Sequence, residues 1–310
     1  MAGPLIAGSA RRGTVKTRAA ALSIVSNSVL IVLKLAAGAI TGSVAILTEA
    51  MHSSVDLIAS IVAFVSVRQA DKPADDDHPY GHDKIENLAA AIEAMLILIG
   101  AGVIVFESVR RLASGSTEVH SLGIGIGVIA FSVLANVVVS TVLARRARET
   151  DSPALEGDAA HLRTDAATSA AVLVGLVVVE LTGAAWLDPV IALAVAAAIV
   201  YAGIKLLLRA SRVLVDEALP PEELDAVRAA IEEFGPRGVC GYHKLRARRA
   251  GSRRYVDLHV QFVGGTTLED AHDTAHRLQD AIRLRLRGAD VLIHLEPEAS
   301  VHPGFEVPPR

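Results

Sequence analysis

The sequence has little cysteine, few aromatic residues and no long block of charge of one sign. Cys240 is the one cysteine among 310 residues, so an internal disulfide and a multi-cysteine zinc site within one chain are both excluded. The 30 basic residues nearly balance the 34 acidic ones, so nothing indicates a nucleic-acid partner. Hydrophobic residues make up 52% of the chain. That share exceeds the one typical of soluble domains and indicates lipid as a solvent.

Six apolar segments approach the length of about 20 residues that a membrane-spanning helix needs. They are residues 19–41, 44–67, 86–108, 121–143, 158–181 and 187–208. The loops at 68–85 and 144–157 are rich in Lys and Arg, whereas the opposite side has chiefly Arg110 and Arg111. This asymmetry places both termini in the cytoplasm by the positive-inside rule. Residues 1–18 carry no signal-peptide cleavage pattern, so we expect a retained cytoplasmic arm.

After Arg212 the pattern becomes that of a small soluble domain. Pro221 in a first turn predicts an amphipathic helix to Phe234. The remaining predicted elements are strands at 239–249 and 253–263, a helix at 267–287 and a strand at 291–295. The order αββαβ predicts an α+β domain with helices on one face of a sheet. The predicted division is an N-terminal arm (1–18), a six-helix transmembrane domain (19–212), a cytoplasmic domain (213–300) and a tail (301–310).

The same polar motif, His-x-x-x-Asp, occurs in two predicted spans. It is formed by His52 and Asp56 in the second span and by His161 and Asp165 in the fifth. A spacing of four puts both side chains of a pair on one helical face, so two facing helices could offer four ligands to a tetrahedral zinc ion. A carboxylate at mid-bilayer costs about 2.5–3.5 kcal/mol on insertion scales, and a bound cation would offset that cost.

The alternative is that these are polar residues at helix ends, satisfied by one another or by interfacial water. The repetition on two spans favours a metal path. Glu49 lies about one turn before His52 and either supports that residue or stands at the mouth of the path.

A second candidate metal site lies in the loop after the second predicted span. Asp75, His78 and His82 are spaced to surround one ion, because Pro79 and Gly81 permit a tight turn. The alternative is a solvated acidic linker at the membrane surface.

Histidines are frequent in the C-terminal domain and suggest a further metal cluster. The candidate residues are His243, His259, His272, His276, His294 and Glu296. His276 stands four residues after His272 and could be only a solvated neighbour. Cys240 could join through its Cys-x-x-His spacing with His243, although an inert buried thiol is the expected state.

These stretches resemble the cation diffusion facilitator family, and its bacterial iron and zinc efflux branch in particular, over about residues 15–300. The most specific stretches are 41–43, 52–56, 75–86, 161–165 and 291–294. The resemblance implies a homodimer in the bacterial inner membrane that exchanges a cytoplasmic divalent metal for protons. Zn²⁺ is the expected ion, with Cd²⁺, Fe²⁺ or Mn²⁺ as alternatives within the family. The resemblance also implies a ferredoxin-like, metallochaperone-like C-terminal domain.

The resemblance assigns the candidate residues to three metal sites. These are a transport site (His52, Asp56, His161, Asp165), a loop site (Asp75, His78, His82) and a cytoplasmic site (His243, His259, His272, His294, Glu296). It further implies that Lys84 pairs with Asp216 across the dimer; two unrelated surface charges are the alternative.

Two positions depart from the family pattern. His52 stands where well-studied bacterial members have Asp, which favours zinc. Glu296 stands where Asp is frequent, which keeps an oxygen ligand but changes its reach.

Two functions of other classes compete with transport. A membrane-embedded zinc hydrolase would need an open coordination position and a general base, and the sequence has no His-Glu-x-x-His motif. A metal-sensing scaffold would need no ligands inside the membrane.

Overall fold

The computed structural model describes residues 3–41, 44–114, 124–182, 184, 186–300 and 307. The chain forms two compact units, Met1–Ser211 and Arg212–Arg310. Six long helices lie among the described residues: α1 (Gly3–Thr41), α2 (Val44–Ala70), α3 (Lys84–Ser114), α4 (Ile124–Thr150), α5 (Pro153–Thr182) and α6 (Leu187–Leu214). The helical segments therefore match the predicted apolar ones in number and order.

Four of these helices are long and apolar enough to cross a membrane. Within the described residues they are Gly13–Ile40, Lys84–Ala113, Gly127–Thr150 and Pro189–Leu214. The other two helices, α2 and α5, carry acidic side chains such as Asp56 and Asp165 in their sequences. Six membrane spans thus remain a prediction, because polar site residues lower the hydropathy of the two helices that hold them.

The helices extend beyond the predicted apolar segments. Helix α1 begins at Gly3, so most of the predicted arm is helical, and α4 continues to Thr150. Hydropathy detects only the apolar part of a helix, whereas the backbone hydrogen bonds continue through polar residues. In α4, Arg145 donates to Glu149 at 3.0 Å, an i,i+4 pair that supports this polar end.

Small and polar side chains join the helices of the N-terminal unit. Ala20, Ala59 and Ala94 are fully buried, which lets helix backbones approach closely. Lys16 of α1 donates to Glu86 of α3 at 2.6 Å, and Ser152, just before α5, donates to the other oxygen of Glu86. This contact links α1 to the beginnings of α3 and α5.

The C-terminal unit is a three-stranded sheet with two helices. Its elements are α7 (Pro221–Glu232), β1 (Val239–Ala250), β2 (Arg253–Phe262), α8 (Leu268–Arg285) and β3 (Ala289–Pro297). The strand order is β1-β2-β3, with β1 antiparallel and β3 parallel to β2. Thr267 caps α8 by accepting from the Asp270 N–H at 3.1 Å. The order αββαβ is the predicted one.

Alternation along β2 separates a core face from a polar face. Val256, Leu258 and Val260 are buried in one core with residues of α7 and α8. Because successive strand residues point to opposite faces, His259 and Gln261 lie on the other face. The helices therefore cover one side of the sheet and leave its histidines on the side away from the core. Of the predicted tail, Val307 is described, and its N–H donates to the Cys240 carbonyl at 3.0 Å.

Candidate metal centres

The first candidate centre is a buried group of three side chains on α2 and α5. Asp56 belongs to α2, and His161 and Asp165 lie one turn apart on α5. One ligand atom from each lies within 4.8 Å of the other two. His161 Nε2 is 3.4 Å from Asp56 Oδ1 and 3.7 Å from Asp165 Oδ2. The three side chains therefore converge on one point between the two helices.

The lone pairs of Asp56 Oδ1 and of the His161 ring are available for a ligand. The three side chains are 7%, 7% and 12% exposed for Asp56, His161 and Asp165. Within the described residues, Asp56 Oδ1 and both ring nitrogens of His161 make no hydrogen bond. Buried polar atoms normally have a hydrogen-bond partner, and exceptions call for an explanation. A divalent cation held by one imidazole nitrogen and two carboxylates would provide it.

The predicted fourth ligand, His52, lies one turn before Asp56 in the backbone of α2. Its side chain lies outside the part that the structure describes, and so does the side chain of Glu49. The ligand role of His52 and the role of Glu49 therefore stay predictions.

A polar network that the sequence analysis did not identify supports this centre. Asn27 of α1 donates to Ser60 Oγ of α2 at 2.9 Å and to the Asp56 carbonyl at 3.4 Å. Ser23 of α1 donates to Asp158 Oδ1 of α5 at 3.0 Å, and Ser60 donates to the same oxygen at 3.3 Å. The network connects α1, α2 and α5 beside the ligands. The i,i+4 spacing of Ser23 and Asn27 within an apolar helix was the available signal.

The loop residues form the second group. Asp75 accepts from the His78 backbone N–H at 2.7 Å, and its carboxylate lies 3.1 Å from His78 Nδ1 and 3.3 Å from His82 Nε2. Gly81, at φ 85°, closes the turn by donating to the His78 carbonyl at 2.9 Å. The His78 backbone N–H is the main cause that holds the pKa of Asp75 below its usual value. The carboxylate is therefore ionised at neutral pH, as a ligand must be.

The third group is a row of side chains across the sheet of the C-terminal unit. His243 of β1 pairs in register with His259 of β2, which pairs with His294 of β3. Glu296, two residues further along β3, lies on the same face, with Oε2 2.8 Å from His243 Nε2 and Oε1 2.6 Å from His259 Nδ1. His294 Nε2 lies 3.9 Å from Glu296 Oε1. Strand register thus brings four of the five predicted residues together.

Hydrogen bonds stabilise the charge of Glu296. Burial by itself raises the pKa of this carboxyl, but donors at His259 and Gln261 and the nearby His243 outweigh burial and lower the pKa to about 2. Gln261 donates from Nε2 to Glu296 Oε2 at 2.8 Å. The sequence analysis missed Gln261, although its position two residues after His259 places it on the histidine face.

His272 stands apart from this row in its described contacts. It lies on α8 with His276, and their Nε2 atoms are 3.1 Å apart. The structure records no contact between His272 and the four strand residues among the described contacts, so its membership of the site stays a prediction.

Cys240 and Asp216 are the two other residues with predicted contacts. Cys240 is half-buried, and burial is the main cause that raises the pKa of its thiol, which favours the protonated form. Asp216 accepts from Arg248 at 2.9 Å within the C-terminal unit. The pairing of Asp216 with Lys84 across a dimer stays a prediction.

Two family models match nearly the whole chain. Residues 20–215 match the model described as the cation efflux transmembrane domain, and residues 219–298 match the cation efflux protein cytoplasmic domain. An uncharacterized transporter of Synechocystis sp. is 37% identical over 279 residues, which cover 90% of this chain and 89% of the relative. The cation-efflux pump FieF of Salmonella paratyphi A is 32% identical over 290 residues, covering 92% of this chain and 94% of the relative.

The chain is also similar to chains of solved structures. The zinc form of CzrB, described as a candidate zinc transporter, is 36% identical; the match covers 28% of this chain and 98% of that one, with a TM-score of 0.27.

Proposed function

Because the chain belongs to the cation diffusion facilitator family of divalent-metal efflux transporters, we propose that it exports Zn²⁺ from the cytoplasm in exchange for protons. The protein is an integral membrane protein and not an enzyme, which excludes the zinc-hydrolase alternative. Its second domain indicates a homodimer. We further propose the bacterial plasma membrane as its location, with membrane lipid around the helices and both termini in the cytoplasm.

One observation carries this proposal: the buried group of Asp56, His161 and Asp165. Its three side chains are almost inaccessible, and within the described part of the chain Asp56 Oδ1 and the ring nitrogens of His161 make no hydrogen bond. A mixed nitrogen and carboxylate set suits Zn²⁺ better than Mg²⁺ or Mn²⁺, which favour oxygen shells. His52 as a second nitrogen ligand would complete a tetrahedral site. Cd²⁺ and Fe²⁺ remain the alternative cargo.

Proton exchange follows from the chemistry of the imidazole ligand. Neutral His161 binds a metal ion through a ring lone pair, whereas the protonated ring cannot, so protons and metal compete. A site that faces the cytoplasm in one state and the opposite side in another would load metal inside and release it where protons are abundant.

The other two groups would act on this cycle from outside the membrane. The loop site of Asp75, His78 and His82 would hold a second ion near the membrane surface. The cytoplasmic site would comprise His243, His259, His272, His294 and Glu296. Metal bound at the cytoplasmic site would stabilise whichever dimeric state has the higher affinity for it. If that state is coupled to one conformation of the membrane domain, metal binding would also favour that conformation.

Zinc flux in proteoliposomes tests the proposal. The full-length protein is reconstituted with a zinc-sensitive dye inside the vesicles, and Zn²⁺ is added outside with and without an acidic interior. We expect faster uptake when the interior is acidic, because protons there empty the site. Glu156→Gln is a matched control on α5, since Glu156 is exposed and pairs with Arg209 at the surface. A zinc flux that does not depend on the pH on either side of the membrane would indicate a uniporter and refute the exchange of Zn²⁺ for protons.

A further inference from the structure

Two buried carboxyl groups, Glu93 of α3 and Asp158 of α5, are not among the ligands of the candidate metal centre on α2 and α5. Both are 0% exposed. They are close neighbours: a Cβ atom at Gly157 would clash with the Glu93 carboxylate, and the charges of Glu93 and Asp158 interact. The carboxylate of Glu93 thus lies against the backbone immediately before Asp158.

The two carboxyl groups have different hydrogen-bond partners. Asp158 Oδ1 accepts from Ser23 at 3.0 Å and from Ser60 at 3.3 Å, so its negative charge is stabilised. Neither oxygen of Glu93 has a hydrogen-bond partner among the described residues. A buried carboxylate without partners is so costly that the group takes up a proton instead. A second negative charge at Asp158 would make ionisation of Glu93 harder still.

The charged groups around the pair come from two helices. Asp158 is the charged group recorded facing Glu93, whose carboxylate lies against Gly157. Asp158 in turn faces the hydroxyls of Ser23 on α1 and Ser60 on α2, and His161 belongs to its own helix. No basic side chain is recorded against Glu93 in the described part that could hold it ionised.

We infer that Glu93 and Asp158 form a proton-holding pair separate from the metal ligands, with the proton on Glu93 and the charge on Asp158. Asp158 stands three positions before His161, which is about 4.5 Å along a helix axis. A divalent cation at the centre would therefore favour ionisation of the pair. On metal loading the Glu93 O–H bond breaks, its electron pair stays on the carboxylate, and the proton passes to water.

The release step rests on the proposed antiport, whereas the presence of the proton does not. Oxygen ligands alone would not attract Zn²⁺ away from the nitrogen-containing centre. The pair is thus suited to protons and not to the transported ion.

Infrared spectroscopy of the full-length protein in lipid tests the proton directly. Metal-free protein at neutral pH should show the C=O band of a protonated carboxylic acid, and Glu93→Gln should lose it. Glu107→Gln is the matched control on α3, because Glu107 pairs with Arg110 and Arg111 near the end of that helix and should be ionised in both states. Glu93→Asp, which keeps an acid, should retain a shifted band if the glutamine variant fails to fold.

Metal addition tests the release step. Zn²⁺ should diminish the band in wild type, and protons released per Zn²⁺ bound, measured with a pH dye, should fall by about one in Glu93→Gln. A band that is absent from wild type, or lost in Asp158→Asn and kept in Glu93→Gln, overturns the assignment. A band that Zn²⁺ leaves unchanged overturns release alone, and it does so whether or not zinc flux responds to a pH gradient.

Discussion

Replacing Glu296 by Gln removes the negative charge of this candidate ligand and keeps the shape of its side chain. In the metal-free C-terminal unit, Glu296 accepts from His259 and Gln261 at 2.6 and 2.8 Å. Its pKa is lowered from 4.5 to about 2, and each unit corresponds to about 1.36 kcal/mol, so the pairing could stabilise the fold by about 3 kcal/mol. Because the site opens to solvent, with His294 63% exposed, screening reduces this to about 1 kcal/mol.

The sign of the pH effect follows from the lowered pKa. A carboxyl whose pKa is lower in the folded state stabilises the fold above its unfolded pKa. This stabilisation is complete above about pH 4.5 and is lost as the pH falls towards 2. We therefore expect Glu296→Gln to lower the free energy of unfolding at pH 7 by about 1 kcal/mol, and the difference from wild type to shrink below pH 4.5.

Urea unfolding of the fragment from Arg212 onward, at pH 7 and in steps below pH 4.5, measures both quantities. This fragment has its own core, which includes Ile231, Leu258 and Leu278. Asp225→Asn is the control, because Asp225 is exposed and pairs with Arg228 three residues away. Equal stabilities of wild type and Glu296→Gln at pH 7, or a difference that does not depend on pH, would show that the charge of Glu296 is not stabilised as described. In zinc titrations, Glu296→Gln should also bind more weakly, since it replaces an anionic ligand by a neutral one.

Three further predictions concern transport and assembly. Asp165→Asn should abolish zinc flux in a folded, inserted protein while Glu156→Gln transports normally; wild-type flux by Asp165→Asn would exclude Asp165 as a ligand. His52→Asp should broaden selectivity towards Cd²⁺ or Fe²⁺, because it removes a nitrogen ligand; an unchanged order of metals in competition assays would count against His52. The fragment from Arg212 should associate more strongly when Zn²⁺ is added, and identical masses with and without metal in equilibrium sedimentation would remove the proposed regulatory role of its site.

Local sequence patterns were sufficient to predict the helices, the strands and most ligand candidates. Long apolar runs require helices in lipid, and alternation around Leu258 requires a strand with two different faces. The His161 and Asp165 pair could be assigned to one helical face from spacing alone, because the helical period is a local property. Spacing also placed Asp75, His78 and His82 within one turn.

Contacts between elements distant in the chain required the tertiary structure. Register between strands aligns His243, His259 and His294. The local turn fixes the register of β1 with β2, whereas the parallel pairing that brings His294 beside His259 joins strands separated by a whole helix. Helix packing places Glu93 of α3 against Gly157 of α5, although they are 64 positions apart in the sequence. A carboxyl group in an apolar helix indicates a functional site but does not say which kind. Whether it binds metal, holds a proton or accepts a hydroxyl depends on which other helix it faces, and that is a property of the fold.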